Sequence, residues 1–409
     1  METRVKITPM NVSAVTLGII LILLVTYQKF IPIVILIWAA VSIGAIIQCK
    51  SKPRFNAGFV LMISLYVMYL VGIFWTENME FAYSDLQVKL GLLLVPALFF
   101  FLKYDKQQLR MMFYGFFLGL LFSFIFSVVT SAVNYASSGL LSEFMFYLLS
   151  KSVHPTYLAF YTNIAITVLL VDFTTKRLAL FSKDRSYLLL IVLFSIFSFI
   201  LLSRLGIVTT LLLNSVLIVY WLISRRWLHA SIVLIFVAIV PLIMIKSSIW
   251  ARERLWDELK TEQVEAGRQI ISLTTLRMEI WHDALTVYKK SPLLGFGTGD
   301  VQDEMIRQYN EDGFNQALEE NLNPHNQFLQ TGIALGVLGM LLVLAILTFS
   351  LSRLKRQFYF SGLFGIISFM FFMTESVLET QAGVVGFAFF YCLFFMVDGT
   401  VSFKKRPQE

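Results

Sequence analysis

The chain has 409 residues, of which 57% are hydrophobic and only 14% charged, and its net charge is +7. Soluble domains carry about a quarter charged residues, so this composition excludes an ordinary soluble domain. The two cysteines, Cys49 and Cys392, offer no disulfide framework.

Apolar runs follow one another at 11–27, 30–48, 55–75, 88–102, 111–133, 156–171, 186–203, 205–223, 230–246, 326–350, 359–375 and 382–399. Most have the about 17–25 residues that a helix needs to cross a hydrocarbon core. Backbone amides find no water there, so the runs are expected as helices. The expected fold is all-α, a polytopic membrane protein of about twelve transmembrane helices. Met1 leads into the first run without a small-residue cleavage site, which predicts a retained anchor and not a signal peptide.

Basic residues alternate between the two sides of these runs. Arg4 and Lys6, Lys50 to Arg54, Lys103 to Arg110, Lys176 to Arg185, Arg225 and Arg226, Arg353 to Arg356 and Lys404 to Arg406 fall in one set of connections. The opposite short connections hold only Lys29, Lys89, Lys151 and Arg204. The positive-inside rule then predicts both termini in the cytoplasm. The positive net charge is thus a topology signal, with no nucleic-acid partner implied. The expected organisation is 1–246, nine transmembrane helices; 247–325, one large extracytoplasmic loop; and 326–409, three more helices and a cytoplasmic tail.

The long loop opens with a charged amphipathic stretch, Arg252 to Lys260. A helix-like stretch from Leu276 to Lys290 carries Arg277 and Trp281 on one face by their i, i+4 spacing. Then comes Ser291-Pro292-Leu293-Leu294-Gly295-Phe296-Gly297-Thr298-Gly299-Asp300. Its glycines either let backbone amides approach an anion or make a tight turn, and with no strand before them the turn is the simpler reading. Asp300, Asp303 and Glu304 are either metal ligands or a solvated helix start. No His or Cys is interleaved with them, so no dedicated transition-metal site is expected.

Topology adds a sharper signal. Runs six, eight and ten all begin on the extracytoplasmic side, with His154 before Pro155, Arg204 after Ser203 and His325 after Pro324 at their starts. Proline suits a first helical turn, which predicts helix starts near 155 and 324. A helix N-terminus offers unpaired N–H groups and positive dipole. Three such ends with cationic side chains would make a diphosphate receptor if they meet. Blander readings stay open: His154 bonded to a carbonyl at the interface, Arg204 in an ion pair with a residue such as Glu375, and Asn323 beside His325 as a helix cap. Charge inside an apolar stretch is costly and usually functional, which favours Arg204. Glu375 and Glu379, near the outer end of the eleventh run, are placed to hold a histidine or arginine. His229 reads as a surface residue and His282 as a structural one.

Arg204 in Ser-Arg-Leu-Gly opens a span. Arg277-x-x-x-Trp281 leads to Ser-Pro-Leu-Leu-Gly-Phe-Gly-Thr-Gly, and His325-Asn326-Gln327-Phe328-Leu329 leads to Gly332, Gly336 and Gly339. Together, over roughly residues 190–345, these resemble the O-antigen ligase / O-antigen polymerase superfamily of bacterial envelope polysaccharide glycosyltransferases. His154-Pro155-Thr156-Tyr157 resembles a variant seen in some members, while Ser-Arg-Leu-Gly departs from the more usual Ser-Arg-Gly.

The resemblance implies a GT-C-like enzyme of the bacterial inner membrane with its active site facing the periplasm. It implies an inverting, metal-independent transfer of glycan from undecaprenyl diphosphate to an acceptor hydroxyl, with no cofactor. His325 matches the essential histidine, and Arg204 and Arg277 match the arginines that bind diphosphate. Asn326, His154, Glu375 and Gly297 are expected at the substrate. The expected partners are the lipid-linked glycan donor, a lipid A–core or growing glycan acceptor, and membrane lipids. O-antigen ligase is the leading function, followed by O-antigen polymerase, protein O-oligosaccharyltransferase, and a transporter or flippase for lipid-linked glycan. The off-centre loop and the lack of paired halves speak against transport.

Overall fold

The computed structural model describes residues 8–247, 263–265, 268–270, 273–356 and 359–400; the Arg252 to Lys260 stretch lies outside them. Before the loop the helices are α1 Pro9–Thr26, α2 Ile31–Gln48, α3 Ala57–Gly72, α4 Met79–Lys89, α5 Gly91–Phe99, α6 Lys106–Ser138, α7 Phe146–Leu149, α8 Pro155–Thr175, α9 Asp184–Ile200, α10 Arg204–Ile223 and α11 Trp227–Ser247. The loop holds α12 Leu273–Lys290, α13 Val301–Asp312 and α14 Asn315–Glu319. The chain then returns through α15 Gln327–Ser352, α16 Tyr359–Thr374 and α17 Gln381–Thr400. The one departure from all-α among the described residues is a hairpin of β1 Gln263–Glu265 and β2 Arg268–Ile270, antiparallel with Gln263 opposite Ile270.

Among the described residues, nine helical segments are long and apolar enough to cross a membrane, and Trp227–Val240 and Tyr359–Thr374 are shorter apolar helices. These eleven and α9 fall on the twelve apolar runs. The fourth run starts earlier than its hydropathy suggests, because Asn78 caps a helix at Met79 through the N–H of Phe81. Lys89, expected in a connection, therefore lies in this segment and is completely buried. The segment breaks at Leu90, and Pro96 interrupts its second half.

Burial separates a centre from a rim. In α8 and α17, 89% of the most apolar stretch is buried, against 33–50% in the other candidate spans. These two helices are thus the inner pillars, and the rest present a face outward. The centre is filled by aromatic rings in tilted or edge contacts, such as Phe160 with Phe371 at 4.7 Å and Phe372 with Phe387 at 5.0 Å. The loop helices carry their own buried face of Leu276, Ile280, Ala284, Val287, Val301, Met305 and Tyr309. Asp300 fastens them to the turn after α3, accepting from the N–H groups of Glu77 at 2.9 Å and Asn78 at 2.7 Å.

Helix α15 is broken. Gly336 has φ +67° and ψ −162°, so the i to i−4 ladder stops there. The Ser291 to Asp300 turn fills the gap. The N–H groups of Phe296 and Gly297 donate to the carbonyls of Ile333 at 2.8 Å and Ala334 at 3.0 Å, and the N–H of Val337 donates to Pro292 O at 2.8 Å. Only glycine permits this approach: a Cβ on Gly336 would stand 2.1 Å from the Leu293 carbonyl oxygen. The glycine-rich run is therefore a turn that completes a membrane helix, and Gly297 sits in it, against Thr76.

Candidate functional site

A cavity of about 360 Å3 is lined by His154, Arg204, Arg277, His325 and Glu375. Each belongs to a different element: the start of α8, the start of α10, α12, the approach to α15, and the residue after α16. A shallower apolar groove of about 430 Å3, along α3 and Leu338, carries no charged residue.

The chain brings the three helix starts together by close packing. Ser203 caps α10, accepting from the N–H of Gly206 at 3.3 Å, which leaves Arg204 as the first helical residue. A Cβ on Gly206 would come 2.6 Å from the Ala159 side chain, so this glycine lets α10 approach α8 one turn below their starts. Beneath it, Asn163 donates to Gly206 O at 3.1 Å and accepts from Thr210 at 2.9 Å, while Thr210 also meets Ser198 at 2.7 Å. This buried polar network ties α8, α9 and α10.

The third start is held differently. Pro324 does not enter the helix; the cap is Asn326, whose Oδ1 accepts from Phe328 N–H at 2.9 Å and Leu329 N–H at 3.2 Å. Its Nδ2 donates to Met373 O at 3.1 Å, and its N–H donates to Ser376 Oγ at 3.3 Å. The Asn326 side chain thus binds α15 to the end of α16 and does not line the cavity. Asn323 holds the preceding residue, accepting from the His325 N–H at 2.8 Å. His325 itself has φ +44°, a left-handed conformation that is strained for this side chain.

Glu375 is the electrostatic hub. Arg277 Nη2 donates to its Oε1 at 3.0 Å, and His325 Nδ1 lies 3.4 Å from its Oε2. Burial raises the pKa of this carboxyl, but the His325 hydrogen bond and the Arg277 charge outweigh it and hold it below its ordinary range. A carboxylate facing Nδ1 keeps the proton there and leaves Nε2 as the acceptor. His154 is set the other way: its Nδ1 accepts from the Thr156 N–H at 3.2 Å as the cap of α8. Its Nε2 therefore carries the proton, 2.6 Å from the Tyr147 hydroxyl.

Behind the hub lies an ion triad that the sequence reading missed. Lys89 bonds Asp85 in its own helix and reaches Glu379 at 2.9 Å, in the same turn as Glu375. Its ammonium stands 4.6 Å from the Tyr69 ring centre. Gln327 braces the turn from the other side, accepting from Leu378 N–H at 2.6 Å. Asp303 and Glu304 have local partners: Asp303 accepts from Asn78 at 2.8 Å, and Glu304 pairs with Arg307 at 2.6 Å. His282 is exposed on α12 beside Asp283.

Helices of membrane-crossing length packed around buried pillars, with a polar cavity at the ends of three of them, define a multi-pass membrane protein. Residues 189–344 match the family model described as O-Antigen ligase (Wzy_C), which supports the O-antigen ligase/polymerase superfamily that the motifs of this stretch resemble. The matched stretch supplies Arg204, Arg277 and His325 to the cavity, while His154 and Glu375 come from outside it. A comparison with curated proteins gives no match.

Proposed function

We propose that this protein is an O-antigen ligase of the bacterial inner membrane. It transfers glycan from undecaprenyl diphosphate to a sugar hydroxyl of lipid A–core at the periplasmic face, with inversion and without a metal ion. The observation that carries this reading is the meeting of Arg204, Arg277 and His325 with two membrane-helix starts in one cavity.

Each residue has a part in the reaction. Arg204 and Arg277 bind the diphosphate, for which a planar guanidinium makes paired hydrogen bonds. The N-termini of α8 and α10 add N–H groups and dipole to the negative charge that builds on the leaving group. The acceptor oxygen attacks the anomeric carbon opposite the diphosphate, whose bond to that carbon breaks. Undecaprenyl diphosphate departs with the electron pair. The hydroxyl proton passes to His325 Nε2, while Glu375 holds Nδ1–H and stabilises the imidazolium. The strain at His325 fits a residue fixed for one task.

The test is transfer in vitro by purified wild type and His325→Ala, with lipid-linked glycan, separate lipid A–core and a chelator. Movement of glycan onto lipid A–core by wild type alone supports the ligase. If wild type instead lengthens the lipid-linked glycan, the protein is a polymerase with the same site. Inactivity of wild type with verified substrates, or activity restored only by magnesium or manganese, overturns the reading.

A further inference from the structure

The cavity has apolar lining residues that the diphosphate chemistry leaves unused. Besides its charged residues, the cavity is lined by Tyr147, Leu205, Leu276, Ile280 and Leu322. Tyr147 stands out because 52% of it remains exposed although its hydroxyl is pinned. The pin is His154 Nε2 at 2.6 Å, and the two rings meet edge to face, 5.1 Å apart at 79°. The residue before it explains the ring's direction. Phe146 has φ +52° and is buried, packed with Met145, Phe199 and Leu202. This anchor and its left-handed backbone turn the next side chain toward the cavity. A tyrosine of the membrane interface would point its hydroxyl to water; this one points it at a capping histidine inside the site.

We propose that Tyr147 is a stacking platform for the pyranose ring next to the diphosphate. The inference rests on the glycan-transfer reading above. A pyranose presents a face of C–H groups, slightly positive and apolar, which suits the negative face of an aromatic ring. The hydroxyl bond to His154 fixes the ring, so little freedom is lost when a sugar lies on it. The sugar is either the donor residue joined to the phosphate or the acceptor residue bearing the attacking hydroxyl.

Two variants separate the ring from its bulk and its hydroxyl, and the exposure of Tyr147 keeps both clear of the core. Tyr147→Phe retains the ring, and Tyr147→Leu retains only apolar volume. With full-length protein in nanodiscs, Tyr147→Leu is expected to raise one KM about tenfold, while Tyr147→Phe stays within about threefold of wild type. A raised KM for lipid A–core assigns the platform to the acceptor; a raised KM for lipid-linked glycan assigns it to the donor. Equal values for the two variants, or a loss in kcat alone, overturn the platform while the transfer reading stands. If wild type transfers nothing, the reading fails, and saturation-transfer NMR with deacylated core oligosaccharide and with soluble O-antigen oligosaccharide decides the platform. Signal with wild type and Tyr147→Phe but not Tyr147→Leu supports it; equal signal, or none with wild type, overturns it.

Discussion

Arg277 and Glu375 lie 98 positions apart and meet at 3.0 Å. One rides on a loop helix and the other follows a membrane helix, so this contact joins the two parts of the molecule at the cavity. The same carboxylate faces His325. A single acidic residue therefore sets the direction of both a guanidinium and an imidazole.

Glu375→Gln keeps the shape of the side chain and removes its charge. Arg277 then loses its ionic partner, and the preference of His325 for a proton on Nδ1 disappears. Transfer should fall by about 100-fold, mostly in kcat, with the protein still inserted. Glu375→Asp should recover part of it. Comparing kcat/KM of the three proteins at equal membrane abundance checks this; an unchanged kcat in Glu375→Gln removes Glu375 from the hub.

Lys89→Met leaves Asp85 and Glu379 buried beside each other without their cation. Breaking such a group by one member costs about 3–5 kcal/mol, whereas replacing all members with neutral ones is far milder. Thermal unfolding in detergent should show a large drop for Lys89→Met. It should also show recovery in the triple variant Lys89→Met, Asp85→Asn, Glu379→Gln.

Gly336→Ala forces a Cβ onto the Leu293 carbonyl and a strained φ onto alanine. The turn that follows α12 should lift from the break, at a cost of about 1–3 kcal/mol. Protease should cut the loop faster, and transfer should fall because Arg277 is carried by the displaced helix. Gly44→Ala, at a position with open space around its Cβ, is the control.

Asp283 reports on the loop helices alone. Burial, with Asp312 adding to it and His282 partly offsetting it, pushes its carboxyl up to about 6. The folded loop then binds a proton that the unfolded chain has already released, so stability falls as pH rises from about 4 to 6 and levels off above. Asp283→Asn should flatten that slope and raise the melting temperature at pH 7. Melting curves at pH 5 and 7 for both proteins check the sign.

Hydropathy carried the helices because a membrane-crossing length of apolar residues has one solution, and the starts of α8 and α10 followed from Pro155 and the Ser203–Arg204 pair. Arg204, Arg277, His154, His325 and Glu375 were legible as candidates because charge in an apolar chain is rare. The break at Gly336 was hidden: α15 reads as one continuous run, and the groups that satisfy it belong to a turn before the helix begins. Lys89 was misplaced because a lysine ending an amphipathic stretch looks like a loop residue, and its second partner lies 290 positions away. Tyr147 left no local mark, since its direction depends on a left-handed neighbour. Asn326 and Gly297 are expected at the substrate from the sequence; in the structure Asn326 caps α15 and Gly297 packs against Thr76.

The turn seated in the broken helix bears on how such proteins diversify. A loop that merely hung between two spans could be exchanged without disturbing either of them. Here residues 291–297 supply hydrogen bonds that residues 333–337 cannot make among themselves. A graft that changes one stretch without the other leaves backbone N–H and C=O groups without their partners. The two stretches must therefore change together if the joint is to stay closed.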